Sequence, residues 1–588
     1  MDSKHVTEST SGQEDIQKTW WKEAIIYQIY PRSFQDSDGD GIGDLNGITS
    51  RLDYIQSLGV DIIWLNPIFL SPNDDNGYDI SDYREIMREF GTMEDFDRLL
   101  KEIHKREMRL VLDLVVNHTS DEHPWFEEAR KSRHNPYYNY YHWWPAEKGE
   151  PPLRLSYFDE EGNAWTYNKP TDSYYLHYFS RKQPDLNWEN PEVRQEIFDM
   201  MRFWFDKGID GFRMDSISLI AKDPSFPLID SKKYPDIFSF YAKEPRLHLY
   251  LHEMSRQVLS KYDCMSVGEG SAVMVDDVAK FVDPAREELN MLYHFDAARI
   301  RNTTLPDNPE SGIDYSLIAL KKMFTEWDKA VDKGWPSIYL GNHDQPRMVS
   351  RFGSDKDEFR ALSAKMLITF LLTMRGTPYW FAGDEIGMRN IRFDRIEDYN
   401  DIDTINRYKK AKAEGKDPQA VLDEQKETGR DNARTPFQWD RSPEAGFTAG
   451  TPWLKVNPDY TWINVADEEK DPTSILNYFK KVVSFRKENP SLIYGSYHLL
   501  DAENPQSYTF LRKTGADTYL IMLNFSPKAA ISTPGIDMSN AHVLLDNYGD
   551  RSHMAPQKDI TLRPFEAIVF QLNHPVYESF IDSLDLLE

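Results

Sequence analysis

The feature that most constrains this chain is a repeated alternation. Eight short apolar runs rich in β-branched and aromatic residues recur along it: "AIIYQIYPRSF" (24–34), "VDIIWLNPIF" (60–69), "RLVLDLVVNH" (109–118), "GIDGFRMD" (208–215), "DCMSVGEG" (263–270), "LNMLYHFD" (289–296), "PSIYLGNHD" (336–344) and "TPYWFAGDE" (377–385). Amphipathic stretches such as "GTMEDFDRLLKEIHKREM" and "NPEVRQEIFDMMRFWFDKG" separate them. Strands alternating with helices pair in parallel through crossovers, and eight such units predict a (β/α)8 barrel.

Two intervals are too long for plain crossovers. Residues 119–185, rich in Trp, Tyr, His and Pro, read as a subdomain inserted after the third strand, and 386–460 as a charged excursion after the eighth. From about residue 500, "QSYTFLRKTG", "DTYLIMLNFS" and "PFEAIVFQLN" alternate with a period of two, the pattern of an antiparallel β-sandwich. The expected organisation is a polar tail over 1–18, a barrel over 19–118 and 186–499, the insertion over 119–185 and a terminal sandwich over 500–588. A chain of 588 residues exceeds what one core covers.

The formal net charge of −28 excludes nucleic acid and anionic membrane as natural partners, since both select for basic surface. A neutral small molecule is unaffected. The single cysteine, Cys264, allows no internal disulfide, and the N-terminal segment lacks an apolar signal core. Both features fit a cytoplasmic protein, and a monomer is expected.

Polar residues gather where the predicted strands end, the face that carries the active site in such barrels. The third strand ends with Asp113, Asn117 and His118, the fourth with Arg213 and Asp215, the fifth with Glu269, and the seventh with His343 and Asp344. Arg213 and Asp215 are two apart and share a side of their strand; the guanidinium is expected to favour the ionised carboxylate. Paired carboxylates are what glycosidic cleavage needs, one at the anomeric centre and one to protonate the leaving oxygen.

"DLVVNH", "GFRMD", "GEG" and "NHD" resemble, in order, the four barrel motifs of the α-amylase family of glycoside hydrolases (family 13). "QPDLNWENPEVR" (183–194), "WWKEAIIYQIYPRSF", "SLGVDIIWLNPIF", "NDDNGYDISDY" and "GRDNARTPFQWD" resemble its oligo-1,6-glucosidase, α-glucosidase and sucrose isomerase branch. The resemblance spans about 20–575 and implies a retaining exo-acting α-glucosidase on short oligosaccharides or disaccharides. It implies Asp215 as nucleophile, Glu269 as acid/base and Asp344 as transition-state stabiliser. His118, Arg213 and His343 would hold the same sugar, and Tyr78 would stack on its ring. Asp75 and Arg430 would pair across the pocket floor, and Phe179 and Gln183 would line the entrance.

The stretch "DSDGDGIGD" sets Asp36, Asp38, Asp40 and Asp44 at close spacing. An EF-hand beginning at Asp36 needs a bidentate Glu at its twelfth position, which here is Gly47, and a strand precedes it. The alternating oxygens still suit a hard cation. The stretch resembles the calcium loop of this branch, which implies structural Ca2+, or Mg2+, on Asp36, Asp38, Asp40, Asp44 and the Ile42 carbonyl. The alternative is a metal-free acidic turn.

Ser216, after the implied nucleophile, departs from the valine usual in relatives that prefer α-1,6 bonds. It resembles the residues found in α-1,4-preferring members, so action on maltose or sucrose at least comparable to that on isomaltose is expected. A sucrose isomerase or transglucosidase using the same intermediate is the alternative reading. After the sixth strand "HFDAARIRNTTLPDNPE" has Arg299 and Arg301 without the isomerase pattern, and no basic cluster suggests trehalose-6-phosphate. A catalytically dead binding subunit would carry a membrane helix and lack these carboxylates; this chain shows neither trait.

Overall fold

A computed structural model describes residues 18–158, 162–234, 236–515, 517–552 and 558–572. Nearly all of the expected polar tail, 1–17, and the end of the terminal domain, 573–588, lie outside the described residues.

All eight expected strands are present: β1 (Ile26–Ile29), β2 (Ile62–Leu65), β3 (Arg109–Val115), β4 (Gly211–Asp215), β5 (Met265–Glu269), β6 (Met291–Tyr293), β7 (Ser337–Ile338) and β8 (Thr377–Phe381). They form one sheet in the order β6-β5-β4-β3-β2-β1-β8-β7, with every pairing parallel. The result is a nearly closed (β/α)8 barrel. Side chains bridge the remaining gap between β6 and β7: the Ser337 hydroxyl donates to the Leu292 carbonyl at 2.7 Å, and the Tyr339 hydroxyl donates to that of His294.

Strand parity sorts the two faces. Ile26, Ile62, Trp64, Val111, Met265, Val267, Met291 and Tyr293 fill one buried cluster. Their alternates Tyr27, Ile63, Leu65, Leu110, Leu112, Phe212 and Met214 belong to the larger cluster shared with the helices. The helix Pro191–Lys207 shows how local signals place a covering element. The Asn190 side chain accepts from the Glu192 N–H at 3.0 Å, Pro191 occupies the first helical position, and Gly208 ends the helix at φ 108°. Its inner stripe buries Val193, Ile197, Met201, Trp204 and Phe205.

Between β3 and β4, strands Trp143–Pro145, Ser173–Leu176 and Trp165–Asn168 form a separate antiparallel sheet in that spatial order. After β8 come helices Ile402–Ala413 and Pro418–Thr428. At the C-terminal end, Ser496–Leu500, Ser507–Thr514, Asp517–Asn524, Ala567–Leu572 and Ala541–Asp546 make a five-stranded antiparallel sheet. Ala530–Ser532 pairs with Ile560–Leu562 as a smaller sheet, and Leu511, Leu520, Met522, Ile560, Leu562 and Phe570 form a core between the two. Among the described residues no helix is long and apolar enough to cross a membrane.

Two buried arginines collect main-chain carbonyls of the barrel helices, and one of them, Arg512, comes from this sheet. Arg512 donates to the carbonyls of Thr373 (2.6 Å), Leu492 (2.7 Å), Ile493 (3.3 Å) and Gly495 (2.7 Å). Arg486 donates to those of Leu372 (2.8 Å), Met374 (2.9 Å), Gly376 (2.5 Å) and Leu492 (3.0 Å). Several of these oxygens belong to the last turns of helices Arg360–Thr373 and Ser491–Tyr494, where carbonyls lack intrahelical partners and the helix dipole favours positive charge. Burial pushes Arg486 down to about 9. Replacing Arg512 by Met leaves four buried carbonyls without that donor. Arg512→Met is expected to lower unfolding free energy by about 2–4 kcal/mol while leaving turnover per folded molecule unchanged. Urea unfolding combined with active-fraction titration measures both.

Candidate active site

A cavity of about 290 Å³ opens at the C-terminal end of the strands, lined among others by Asp75, Tyr78, His118, Asp215, Glu269 and Asp344. At its base lies Arg213, fully buried. In the ladder Arg213 stands beside Asp113 on β3 and Val267 on β5. Its Nη1 donates to Asp113 Oδ1 (3.0 Å) and Asp215 Oδ1 (2.9 Å), and its Nη2 to Glu269 Oε2 (2.6 Å). The Trp64 ring packs against the guanidinium at 5.2 Å.

One cation facing three carboxylates cannot hold all three ionised cheaply. Burial pushes Glu269 up to about 8; Arg213 opposes this, and the neighbouring Asp215 charge adds to it. Burial likewise raises Asp215 to about 6, against the pull of Arg213, and Asp113 to about 6. Arg213 favours the ionised form of Asp215, as expected, but desolvation outweighs that pull. The two carboxyl groups also act on each other, an interaction that lowers Asp215 and raises Glu269. Glu269 also accepts from the Ser271 hydroxyl (2.9 Å) and from the Ser216 backbone N–H (3.1 Å). Ser216 adopts φ 44°, in the left-handed region, which aims that N–H back at Glu269. Strained backbone of this kind persists where its surroundings over-determine it.

Asp344 occupies the opposite wall. Burial alone would raise its pKa, but His343, Arg430 and Arg434 together hold it well below the usual carboxylate range. Arg434 Nη2 lies 2.8 Å away, Arg430 Nη1 3.2 Å and His343 Nε2 3.1 Å. Asp75 and Arg430 do meet, at 3.3 Å. The guanidinium is shared, however: its Nε donates to the buried Asp401 at 2.8 Å. The expected two-residue pair is a four-way cluster, in which burial pushes Asp75 up to about 7.

The remaining candidates support this wall. Burial lowers His118 and His343 to about 3, so both are neutral near pH 7. His343 Nδ1 accepts from Gln28 at 2.8 Å, and its ring stacks on Tyr78 at 5.3 Å. The Tyr78 hydroxyl donates to Asp113 Oδ2 at 2.8 Å. His118 Nε2 donates to the Tyr78 carbonyl at 3.0 Å. Gln183 is fully buried; its Nε2 donates to Asp75 Oδ2 at 3.3 Å. The Phe179 ring lies 5.0 Å from that of His118 and stacks on Tyr157 at 5.1 Å.

Sequence reasoning passed over Arg434, Asp401, Tyr157, Phe158, Ser271 and Gln345. Arg434 stands four residues after Arg430 within "GRDNARTPFQWD", a spacing that one helical turn brings to one face. Asp401 carried no such signal, since it sits in a segment where charges are frequent.

In the acidic loop, Asp36, Asp38 and Asp40 offer carboxylate oxygens within 4.8 Å of one another. Asp36 is anchored by the N–H groups of Asp38 (2.9 Å), Gly39 (2.7 Å) and Gly41 (2.9 Å). Burial raises Asp40, and the charges of Asp38, Asp36 and Asp44 add to that. Asp44 turns toward the backbone. Its Oδ1 accepts from the Gly47 N–H (2.7 Å), capping the helix Leu45–Ser50, and its Oδ2 accepts from that of Ser37 (2.7 Å). Gly41, at φ 94°, lies so close to the Thr451 carbonyl that a Cβ would come within 1.9 Å of its oxygen.

Comparison with known proteins agrees with this geometry. The family description "Alpha amylase, catalytic domain" matches residues 28–495. The chain is 51% identical over 571 residues to an oligo-1,6-glucosidase of Parageobacillus thermoglucosidasius, covering 95% of this chain and all of that one. It is 49% identical over 567 residues to an oligo-1,6-glucosidase of Bacillus cereus, with 95% and 100% covered. Among solved structures, a mutant isomaltulose synthase of Erwinia rhapontici NX5 in complex with its natural substrate sucrose superposes with TM-score 0.90 at 43% identity, covering 95% of this chain and all of that one. A barrel with three carboxylates on one buried arginine, matched over most of its length, belongs to the α-amylase family of glycoside hydrolases.

Proposed function

We propose that the protein is a retaining, exo-acting α-glucosidase that removes the terminal glucose of short α-glucosides. One observation carries this reading: Asp215 and Glu269 share the Arg213 guanidinium, yet their environments set their pKa values apart, at about 6 and about 8. Near neutrality Asp215 is mostly ionised and Glu269 mostly protonated, the nucleophile and the acid of a retaining pair. Inversion needs carboxyl groups about 6.5–9.5 Å apart with a water between them; two carboxylates held on the two terminal nitrogens of one guanidinium favour the narrower spacing of retention.

In the first step an Asp215 oxygen attacks the anomeric carbon, the glycosidic bond breaks, and Glu269 gives its proton to the departing oxygen. Asp344, kept anionic by Arg430 and Arg434, bonds sugar hydroxyls as the ring flattens. Glu269, now ionised, then takes a proton from water, whose oxygen displaces Asp215. The Asp75–Arg430–Asp401 cluster closes the inner end of the pocket, which restricts cleavage to the terminal glucose. A sucrose isomerase would use the same intermediate with fructose as acceptor; the likeness to an isomaltulose synthase favours keeping that reading as second.

Ser216 lines the cavity and bears on linkage. It offers a hydroxyl and more room than valine, so maltose or sucrose should be cleaved at least comparably to isomaltose. One such contact changes discrimination by roughly 10–200-fold. For the acidic loop, we propose a structural Ca2+, with Mg2+ as the alternative. The all-oxygen donor set and the mutual repulsion of Asp36, Asp38 and Asp40 suit a hard divalent ion. Such an ion would neutralise the loop and take no part in the chemistry.

Four measurements test these readings. NMR of early products should show α-glucose; initial β-glucose would overturn retention. Across a panel of disaccharides, Ser216→Val should move the ratio of kcat/KM towards isomaltose, a ratio unaffected by the folded fraction. The pH profile of kcat/KM should be bell-shaped. It should fall below about pH 6 as Asp215 gains a proton and above about pH 8 as Glu269 loses one; Glu269→Gln should abolish the alkaline limb along with most activity. For the loop, chelation should lower Tm and added Ca2+ should restore it; an unchanged Tm in protein shown to be metal-free would refute the site.

A further inference from the structure

Gln345 follows Asp344 directly and lines the catalytic cavity beside Phe295, Ala298 and Arg299. Its side chain is gripped from behind by Arg351, in the short helix Met348–Phe352, whose guanidinium donates to Gln345 Oε1. Arg351 is 5% exposed. Burial pushes it down to about 10; Tyr339 opposes this and Arg301 adds to it, and no carboxylate contributes. Its carbonyl accepts from Arg301 Nη1 at 3.0 Å, as does that of Ser350, which fixes the helix.

A guanidinium has N–H donors and no acceptor, so it faces the oxygen end of an amide and never the nitrogen end. Arg351 therefore removes the ambiguity of the Gln345 side chain and turns its NH2 group away from itself. Among the described residues no acceptor holds that Nε2, although the atom belongs to a residue of the cavity wall. Keeping a buried arginine without a carboxylate partner is costly. What the arrangement secures is an amide locked as a donor next to the stabilising Asp344.

We propose that Gln345 is a hydrogen-bond donor to the departing sugar and that Arg351 is the positioning residue that keeps its amide in the donating orientation. The proposal rests on the α-glucosidase reading and adds to it a determinant of leaving-group selection. A leaving sugar offers this donor ring and hydroxyl oxygens, whereas an aryl leaving group offers neither.

The test compares maltose with 4-nitrophenyl α-glucoside. Gln345→Met should lower kcat/KM on maltose about tenfold and change that on the aryl glucoside less than about twofold. Arg351→Met should reproduce this selectivity, Arg351→Lys should recover part of the loss, and the double Met variant should be no worse than either single one, since both act through one contact. Should Arg351→Met fail to fold, Gln345→Met alone carries the test. Parallel losses on both substrates, or normal maltose activity in Gln345→Met, would overturn the proposal while leaving the α-glucosidase reading intact. A wild-type enzyme inactive on both substrates would overturn that reading and the proposal with it.

Discussion

The site depends on one buried positive charge. Arg213 binds Asp113, Asp215 and Glu269 at once, and its charge covers only one of the three. The shortage of positive charge, enforced by burial, is what keeps a proton on one of the carboxylates near neutrality. A second cation here would ionise Glu269 and remove the acid; none would leave Asp215 protonated and remove the nucleophile. The opposite wall shows the contrasting arrangement. Asp344 has Arg430, Arg434 and His343 around it and stays ionised. Acid and nucleophile share one cation and differ through burial and their action on each other, whereas the permanent anion faces two arginines.

The framework was legible in the sequence for a definite reason. Residues with two covered faces must be apolar on both, so each strand stands out as a run such as "VDIIWLNPIF", and the helices between them carry their own caps, as at Asn190 and Gly208. The catalytic constellation was legible too, because parity placed Arg213 and Asp215 on one side of β4 and polar residues ended several other strands. The chemistry of individual groups was less so. Whether Arg213 or burial governs Asp215 depends on water exclusion, which no spacing encodes. Asp401 meets Arg430 only because the excursion folds back over the barrel, and the capping of a helix by Asp44 shows only once its carboxylate is seen turned toward Gly47.

The lone buried arginines were the least legible elements. Arg351, Arg486 and Arg512 look in sequence like ordinary surface charges. Their partners are an amide oxygen and main-chain carbonyls from segments far apart, and such acceptors leave no compositional trace. They share one logic: a rigid donor with several N–H groups collects oxygens that would otherwise be buried unpaired.

Arg512 also separates two meanings of a domain. The stretch recognisable as the family's catalytic domain stops at residue 495, yet Arg512 lies beyond it and completes the ends of two helices within it. The stretch matched as the catalytic domain and the unit that folds therefore do not share a boundary. A gene fragment cut at the apparent edge would encode every catalytic group and still lack a side chain that its own helices need. The terminal sheet is better regarded as a further layer over the barrel's helices than as an appendage.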